Sequence, residues 1–234
     1  MNIKEAVLII QKNFRGYNYR KKKLPLILYY IQNYLKNKKI ILEKNNNDGR
    51  VNSIINEKKI IKLLKEKFKE RIKETKIRMW YDICVYDYLY GWIPINIKIT
   101  TTLNSDNISN LTSCVYKYTN FDLNLNKKYN NGEMSKILIN KLKNNEINNK
   151  LKKDYYFIVL NKNNNDIIIN SLKGINNITS NNNNLPFQIC WNKNKEFEYK
   201  KIDIIIKQFI LTIQKPKPTW QEYFIENIRK IKLD

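Results

Sequence analysis

The alternation of apolar and polar residues between Trp80 and Thr102 predicts two β-strands joined by a tight turn. Each strand has two distinct faces: Tyr81, Ile83 and Val85 alternate with Asp82, Cys84 and Tyr86, and Ile95, Ile97 and Ile99 alternate with Asn96, Lys98 and Thr100. Gly91 supplies the turn signal. Pro94 lacks an N–H for a strand ladder and therefore fits the start of the second strand better than its middle.

This predicted hairpin brings polar side chains together inside an apolar sheet. Asp82 lies on the first strand, and Asn96 and Lys98 lie two residues apart on one face of the second. A lysine inside an apolar strand is rarely buried without a partner or a task. The pattern therefore predicts that a carboxylate, an amide and an ammonium converge at one place.

The hairpin resembles the catalytic hairpin of the PD-(D/E)xK nuclease superfamily, and its nearest relatives there are type II restriction endonucleases of the EcoRV and HincII kind. Asp82 matches the first aspartate of that motif, Lys98 matches its lysine, and the threonines from Thr100 to Thr102 follow as they often do there. The polar stretch TLNSDNISNLTSCVY is similar to the loop and helix that come next in those enzymes. The chain departs from the pattern at Asn96, where the family has an acid.

The resemblance implies a Mg²⁺ site, with Mn²⁺ as a substitute. Its ligands would be the Asp82 carboxylate, the Asn96 amide oxygen, the backbone carbonyl of Ile97 and Glu57, the last on the helix before the hairpin. Lys98 would orient or help to deprotonate the attacking water, or stabilise charge on the phosphate. The alternative is a salt bridge between Asp82 and Lys98 across the hairpin, without a metal.

The polar residues after the hairpin are candidates for DNA contacts, since hydroxyl and amide groups reach phosphates and base edges. The candidates are Thr100, Thr101, Thr102, Asn104, Asp106, Asn107 and Asn110. The alternative is an ordinary capped loop, in which Asp106 caps a helix that begins at Asn107. The resemblance further implies a homodimer, because a palindromic duplex presents two equivalent scissile bonds.

Composition narrows the classes of function. The net charge is +23 and the isoelectric point is about 9.7, which points to a polyanionic partner, although a Lys-, Asn- and Ile-rich chain of this kind also arises from an AT-rich genome. The chain has no histidine and only three dispersed cysteines, which excludes histidine-based triads and HNH chemistry and argues against zinc. The free cysteines, with no bilayer-length apolar run and no signal peptide, indicate an intracellular protein that is neither secreted nor inserted in a membrane.

Near the N-terminus, residues 3–23 have helical periodicity and contain IQKNFRGYNYR, which matches the IQ motif. The matched positions are Ile10, Gln11, Arg15, Gly16 and Arg20. The motif implies that a calmodulin-type protein grips this helix, with an apolar anchor in its groove and arginines on its acidic rim. The alternative is a basic amphipathic helix that packs on its own domain or lies on a membrane.

The remaining pattern predicts a helical region over residues 1–45, and the resemblance implies a nuclease domain over residues 46–234. The order of the elements predicts an α/β (α+β) fold with one central mixed sheet, preceded by N-terminal helices, and the resemblance implies a restriction-endonuclease-like αβα sandwich. Further elements are predicted as helices at 26–42, 130–153, 200–214 and from Thr219 onward, and as strands at 154–161, 166–171 and 185–191. Residues 176–184 are predicted to form a loop.

Together with the charge of the chain, the resemblance implies a Mg²⁺-dependent, sequence-specific endonuclease that acts on double-stranded DNA. Two alternatives remain. The substitution at Asn96 favours a DNA-binding protein with a degenerate site. The IQ motif favours an interaction protein that binds calmodulin through its N-terminal helix.

Overall fold

The structure, a computed structural model, describes residues 23–214 apart from 39, 44–48, 77–78, 109, 149, 151–152 and 182–185. The IQ-like motif with Ile10, Gln11, Arg15, Gly16 and Arg20 lies outside the described residues, as does the helix predicted from Thr219. A calmodulin-type partner and the division at residue 45 therefore stay predictions. None of the described helices combines the length and the apolar character that a bilayer span requires.

Eight strands and five α-helices make up the described part of the chain. The strands are β1 (Ile72–Glu74), β2 (Ile83–Asp87), β3 (Gly91–Thr100), β4 (Ser105–Asn107), β5 (Tyr156–Asn161), β6 (Ile167–Ser171), β7 (Thr179–Ser180) and β8 (Phe187–Cys190). The helices are α1 (Leu26–Lys36), α2 (Gly49–Phe68), α3 (Leu111–Tyr118), α4 (Asn131–Lys143) and α5 (Ile202–Gln214). Short 3-10 turns follow α2 at Lys69–Arg71 and β8 at Trp191–Lys193.

The central sheet has the strand order β1-β2-β3-β5-β6. The pairing of β3 with β5 is parallel and the other pairings are antiparallel, so the sheet is mixed, as predicted. Isoleucine and valine dominate these strands, because branched side chains pack well on a pleated surface that is covered on both sides. The predicted α/β (α+β) class is confirmed at this level.

The predicted hairpin is β2 and β3. Gly91 closes it with a φ of 71°, a left-handed conformation that favours glycine. The Asp87 carboxylate accepts hydrogen bonds from the backbone N–H groups of Leu89 at 2.9 Å and Tyr90 at 3.1 Å, which holds the turn. Pro94 lies inside β3 opposite Cys84, not at the start of the strand as predicted. The strand tolerates it because pairing with β5 begins only at Ile95, so no ladder bond is lost.

Helices cover both faces of the central sheet. On one face α1 and α2 pack through Ile27, Ile31, Ile60 and Leu64 against Ile83, Val85, Ile95, Ile97 and Ile158. On the other face α3, α4 and α5 pack through Cys114, Val115, Leu138, Ile205 and Phe209 against Phe157, Val159 and Ile168. This second layer also holds a small sheet with the order β4-β8-β7. The alternating apolar residues of β3 and β5 are therefore divided between two cores.

Several element boundaries differ from the sequence predictions. Helix α1 ends at Lys36 rather than Leu42, because polar residues interrupt its apolar stripe; Ile40 then enters the core from the segment beyond. Helix α2, for which no bounds were predicted, spans Gly49–Phe68, and the packing of Ile60 and Leu64 against the sheet stabilises it. Strand β7 lies inside the predicted loop over residues 176–184, where Thr179 pairs with Gln188.

Candidate active site

The candidate site lies where β3 extends beyond its neighbour β2. Strand β2 pairs with β3 only as far as Ile83 and Ile95. Just before it, the Asp82 N–H donates to the Ile95 carbonyl at 2.9 Å. The Asp82 carboxylate then accepts from the Ile97 N–H at 2.6 Å, in the place that the next backbone carbonyl would take. These two bonds fix the carboxylate at the unpaired edge of β3.

The Ile97 carbonyl lies at the same edge. In a β-strand the N–H and C=O of one residue point to the same side, and the Ile97 N–H points to Asp82. The even-numbered residues of β3 point their backbone groups the other way, as the bond from the Lys162 N–H to the Thr100 carbonyl shows. The Asp82 carboxylate and the Ile97 carbonyl, two of the four predicted oxygen ligands, therefore lie at the same edge of β3.

Glu57 of α2 completes the charged cluster. Burial, and next the Asp82 carboxylate, raise the pKa of Glu57 to about 7, while the ammonium groups of Lys98 and Lys58 lower it. Burial raises the pKa of Asp82 to about 6, against the Ile97 N–H and the Lys98 ammonium, which lower it. Glu57, Asp82 and Lys98 come from three separate elements and act on one another through space, as a shared site requires.

Asn96 brings an unsatisfied acceptor to this cluster. Its Oδ1 atom is buried, and no donor among the described residues reaches it. Its side chain also interacts with the hydroxyl of Tyr155, which donates to the Trp80 carbonyl at 2.7 Å. Because a buried acceptor without a partner costs free energy, this oxygen suits a cation or a water molecule.

The ion-pair partner of Lys98 is Asp106, whereas the salt-bridge alternative requires Asp82. Its Nζ lies 3.8 Å from Asp106 Oδ1, and each side chain is about a quarter exposed, at 26% and 21%. The second oxygen of Asp106 accepts from the indole N–H of Trp191 at 2.9 Å. Asp106 of β4 therefore pairs with Lys98, whose ammonium also acts on Asp82 and Glu57. Both of its oxygens are engaged within the protein, and its contact with DNA stays a prediction.

Two more predicted DNA contacts have structural roles. Thr102 is 1% exposed, has a φ of 63°, and accepts a bond from Asn161 on its hydroxyl at 3.0 Å. Asn110 caps α3 by accepting from the Ser113 N–H at 2.8 Å, and it also donates to the Trp80 carbonyl. The DNA contact predicted for each of them stays a prediction. The alternative helix start at Asn107 is wrong, because the helix begins at Leu111.

The other residues of this loop remain at the surface. Asn104 and Asn107 are exposed, and Thr100 and Thr101 are partly exposed. These four side chains can therefore reach a ligand on the side of the small sheet. A DNA contact by any of them stays a prediction.

Three aromatic residues that support the site were not predicted as site residues. Trp191 holds Asp106, Tyr155 reaches both Asn96 and the Trp80 carbonyl, and Trp80 stacks on Tyr155 with ring centroids 5.7 Å apart. The sequence marks them only as tryptophan or tyrosine in largely apolar stretches. When such a side chain is buried, its indole N–H or hydroxyl usually needs a hydrogen-bond partner. They tie the loop before β2 to β5 and β8.

The donor set fits a hard divalent cation. Two carboxylates, an unsatisfied amide oxygen and a backbone carbonyl are the oxygen ligands that Mg²⁺ prefers. Within the described ranges no group of three or more His, Cys, Asp or Glu side chains is suited to a metal, so half of the donors here would be neutral. A metal held here would leave much of its coordination to water and substrate.

Comparison with other proteins adds no relative to this picture: no protein-family model and no curated protein matches the chain. The resemblance to PD-(D/E)xK nucleases therefore depends on the residues quoted above. A function has to be argued from the arrangement of the chain's own side chains.

The raised pKa of Asp82 predicts that Asp82→Asn stabilises the metal-free protein at alkaline pH. Between about pH 4 and pH 6 the folded state binds this proton more tightly than the unfolded chain, so the free energy of unfolding falls as pH rises through that window. Above it, the ionised and desolvated carboxylate destabilises the fold, and a neutral amide removes that effect. We expect the variant to be about 1–2 kcal/mol more stable than the parent at pH 8 in EDTA.

Urea unfolding at pH 4 and pH 8 measures this difference. At pH 4 the two proteins should differ little, because the Asp82 carboxyl of the folded protein is then protonated and no desolvated charge is left to destabilise it. Asp203→Asn, which removes an exposed carboxylate from α5, is the matched control and should change stability by less than about 0.5 kcal/mol. A loss of stability in Asp82→Asn at pH 8 would contradict the desolvated carboxylate described here.

Proposed function

We propose that this protein is a metal-dependent endonuclease that hydrolyses phosphodiester bonds in double-stranded DNA. The observation that carries the proposal is the Asp82 carboxylate fixed by the Ile97 N–H at the unpaired edge of β3, where the charges of Lys98 and Glu57 also act. Two carboxylates beside one ammonium, with an unsatisfied amide oxygen at Asn96, form a set of groups suited to a divalent cation and a phosphate. An ion pair that served only the fold would need neither a second carboxylate nor the unsatisfied oxygen of Asn96.

The chain's own residues divide the work at such a site. Asp82, Glu57, Asn96 Oδ1 and the Ile97 carbonyl would hold Mg²⁺ or Mn²⁺. When bound, the ion supplies charge neutralisation and lowers the pKa of the attacking water. The Ile97 N–H keeps Asp82 oriented, because it occupies one carboxylate oxygen and leaves the other toward the ligand.

Lys98 acts on the phosphate side of the reaction. Its ammonium lies at a long 3.8 Å from Asp106 and is partly exposed, so it can turn toward a phosphate without leaving its strand. There it orients the attacking water and stabilises the negative charge that develops on the phosphate oxygens. Asp106, fixed by the Trp191 indole, limits how far the lysine moves.

The charge of the chain supports a nucleic acid as substrate. With a net charge of +23, the protein attracts a polyanion at long range and neutralises phosphates on contact. Cleavage at a defined sequence by a homodimer remains part of the proposal, because a duplex with two-fold symmetry presents two equivalent bonds.

Cleavage of supercoiled plasmid DNA tests this function. The purified protein should convert the plasmid into linear or nicked product in Mg²⁺ or Mn²⁺ and should leave it intact in EDTA. Asp82→Asn, prepared in the same way, should leave the plasmid intact in all three conditions, which separates the activity from a contaminating nuclease. Equal cleavage by the parent and by Asp82→Asn would overturn the proposal.

A second candidate is a DNA-binding protein that no longer cleaves. The observation that favours it is Asn96, since an amide in place of a carboxylate lowers the negative charge available to a cation. It predicts tight, salt-dependent binding to duplex DNA with no product under either metal. The plasmid assay, combined with a filter-binding measurement, distinguishes the two.

A further inference from the structure

The small sheet β4-β8-β7 has one apolar face and one polar face. Phe187 and Ile189 of β8 are fully buried in the core beneath it. On the opposite face, the strand register aligns Asn107 of β4, Gln188 of β8 and Thr179 of β7 in one row across the sheet. We call these three residues the amide row. Asn107 is exposed, and Gln188 and Thr179 are partly exposed.

Hydrogen bonds fix the orientation of the two amides. Asn107 Oδ1 accepts from Gln188 Nε2 at 2.7 Å and from Asn181 Nδ2 at 2.6 Å. The oxygen of Asn107 is thus directed into the row, and its Nδ2 group is left as a donor. In the described part of the chain, no acceptor contacts that group and no donor contacts Gln188 Oε1. The row therefore presents a donor beside an acceptor.

We propose that the amide row enters the major groove of the DNA substrate and pairs with adenine, an inference that rests on the proposed function. Adenine presents an acceptor, N7, beside a donor, the N6 amino group, in that groove. The Asn107 amino group matches N7 and the Gln188 oxygen matches N6. Asparagine and glutamine are the side chains that pair with adenine in this way.

The shape and charge of this region fit the groove of duplex DNA. The major groove of B-form DNA is wide enough for two paired β-strands, and the pair of β4 with β8 carries both Asn107 and Gln188. The deep and narrow major groove of A-form RNA does not admit side chains in this way. Exposed Lys193 and Lys195 follow β8 directly and supply positive charge for the flanking phosphates.

The amide row is connected to the candidate active site through one short strand. In β4, the exposed Asn107 adjoins Asp106, whose side chain points the other way and pairs with Lys98. Adjacent residues of a strand face opposite sides, so β4 carries a base-reading group on one side and a lysine-positioning group on the other. Docking of the row would therefore place the cleavage groups at a fixed distance from the adenine.

Selection from a random duplex library tests the inference through binding alone. Asp82→Ala is the background, so that no substrate is cleaved. This protein should enrich a motif with at least one A·T pair, and the variant that adds Asn107→Ala and Gln188→Ala should lose the preference at that pair by about ten- to a hundredfold. Asn33→Ala, an exposed amide on α1 across the central sheet, is the matched control and should keep the motif.

A single substitution at Asn107 replaces the outward hydrogen-bond donor by an acceptor without shortening the side chain. Asn107→Asp retains an oxygen for Gln188 and Asn181 but offers an acceptor outward, so its preference should move from adenine toward cytosine, whose N4 group donates. The inference would be overturned if the parent and the variants selected the same motif, or if the parent bound without any base preference. It would also be overturned if the protein bound a duplex RNA of the selected sequence more tightly than the DNA. The plasmid assay tests the nuclease function separately. If the variant with Asn107→Ala and Gln188→Ala still cleaves DNA at one fixed site, the nuclease function is retained and only the inference about the amide row is wrong.

Discussion

Lys98→Met is expected to reduce the rate of DNA cleavage by roughly 10²–10⁴-fold, which is the range for removing one positioned charged group from a reaction centre. Methionine keeps the length and the apolar stem of the lysine, so β3 should still pair with β5. What is lost is the ammonium that pairs with Asp106 and acts on the Glu57 and Asp82 carboxylates. Single-turnover cleavage of a labelled duplex, with protein in excess, measures the chemical step directly.

Lys207→Met is the matched control, since it removes one positive charge from the exposed face of α5. It should retain cleavage within about threefold of the parent, because a single surface charge contributes little to a local reaction. DNA binding by Lys98→Met should fall far less than its cleavage rate. A variant that binds and cleaves like the parent would show that the ammonium has no role in the reaction.

Trp191→Ala is expected to lower the free energy of unfolding by about 3–5 kcal/mol, the usual range for removing a large buried aromatic side chain. Trp191 is fully buried, its ring lies 5.2 Å from that of Phe157, and it is the hydrogen-bond donor to Asp106. The substitution leaves a cavity between the small sheet and the central sheet and an unsatisfied carboxylate oxygen beside Lys98. Chemical denaturation monitored by far-UV circular dichroism gives the change in stability.

Trp191→Phe separates the two effects. It retains most of the apolar volume and removes the indole N–H, so it should cost only about 1–2 kcal/mol. At a temperature where it remains folded, it should still slow cleavage, because Asp106 is then free to rotate and to draw Lys98 with it. If Trp191→Phe cleaves DNA at the parent rate, the hydrogen bond to Asp106 serves the fold alone.

The hairpin and its charged residues were predictable because their signal is local. The two-residue period around Asp82 and Lys98, a glycine at the turn and a run of isoleucines determine which side chains share a face. The structure confirms both strands, and Glu57, from the helix before the hairpin, acts on the same charged groups.

The partners of the site were not predictable because they depend on distant pairing. The contact between Lys98 and Asp106 requires β4 to pair with β8, which lies far along the chain. Thr102 and Asn110 look like surface residues in a polar loop, yet one is buried by a bond to Asn161 and the other caps a helix. Local composition describes such side chains as polar but does not reveal which hydrogen bonds they make.

The parallel pairing of β3 with β5 has a consequence for how the protein folds. Partners such as Ile95 and Tyr156 are separated by the whole of β4, α3 and α4, so a long loop must close before the centre of the sheet can form. Contacts of this kind slow the search for the native state. The groups at the edge of β3 would thus assemble late, and a nascent or truncated chain that contains every one of them in sequence would still be inert.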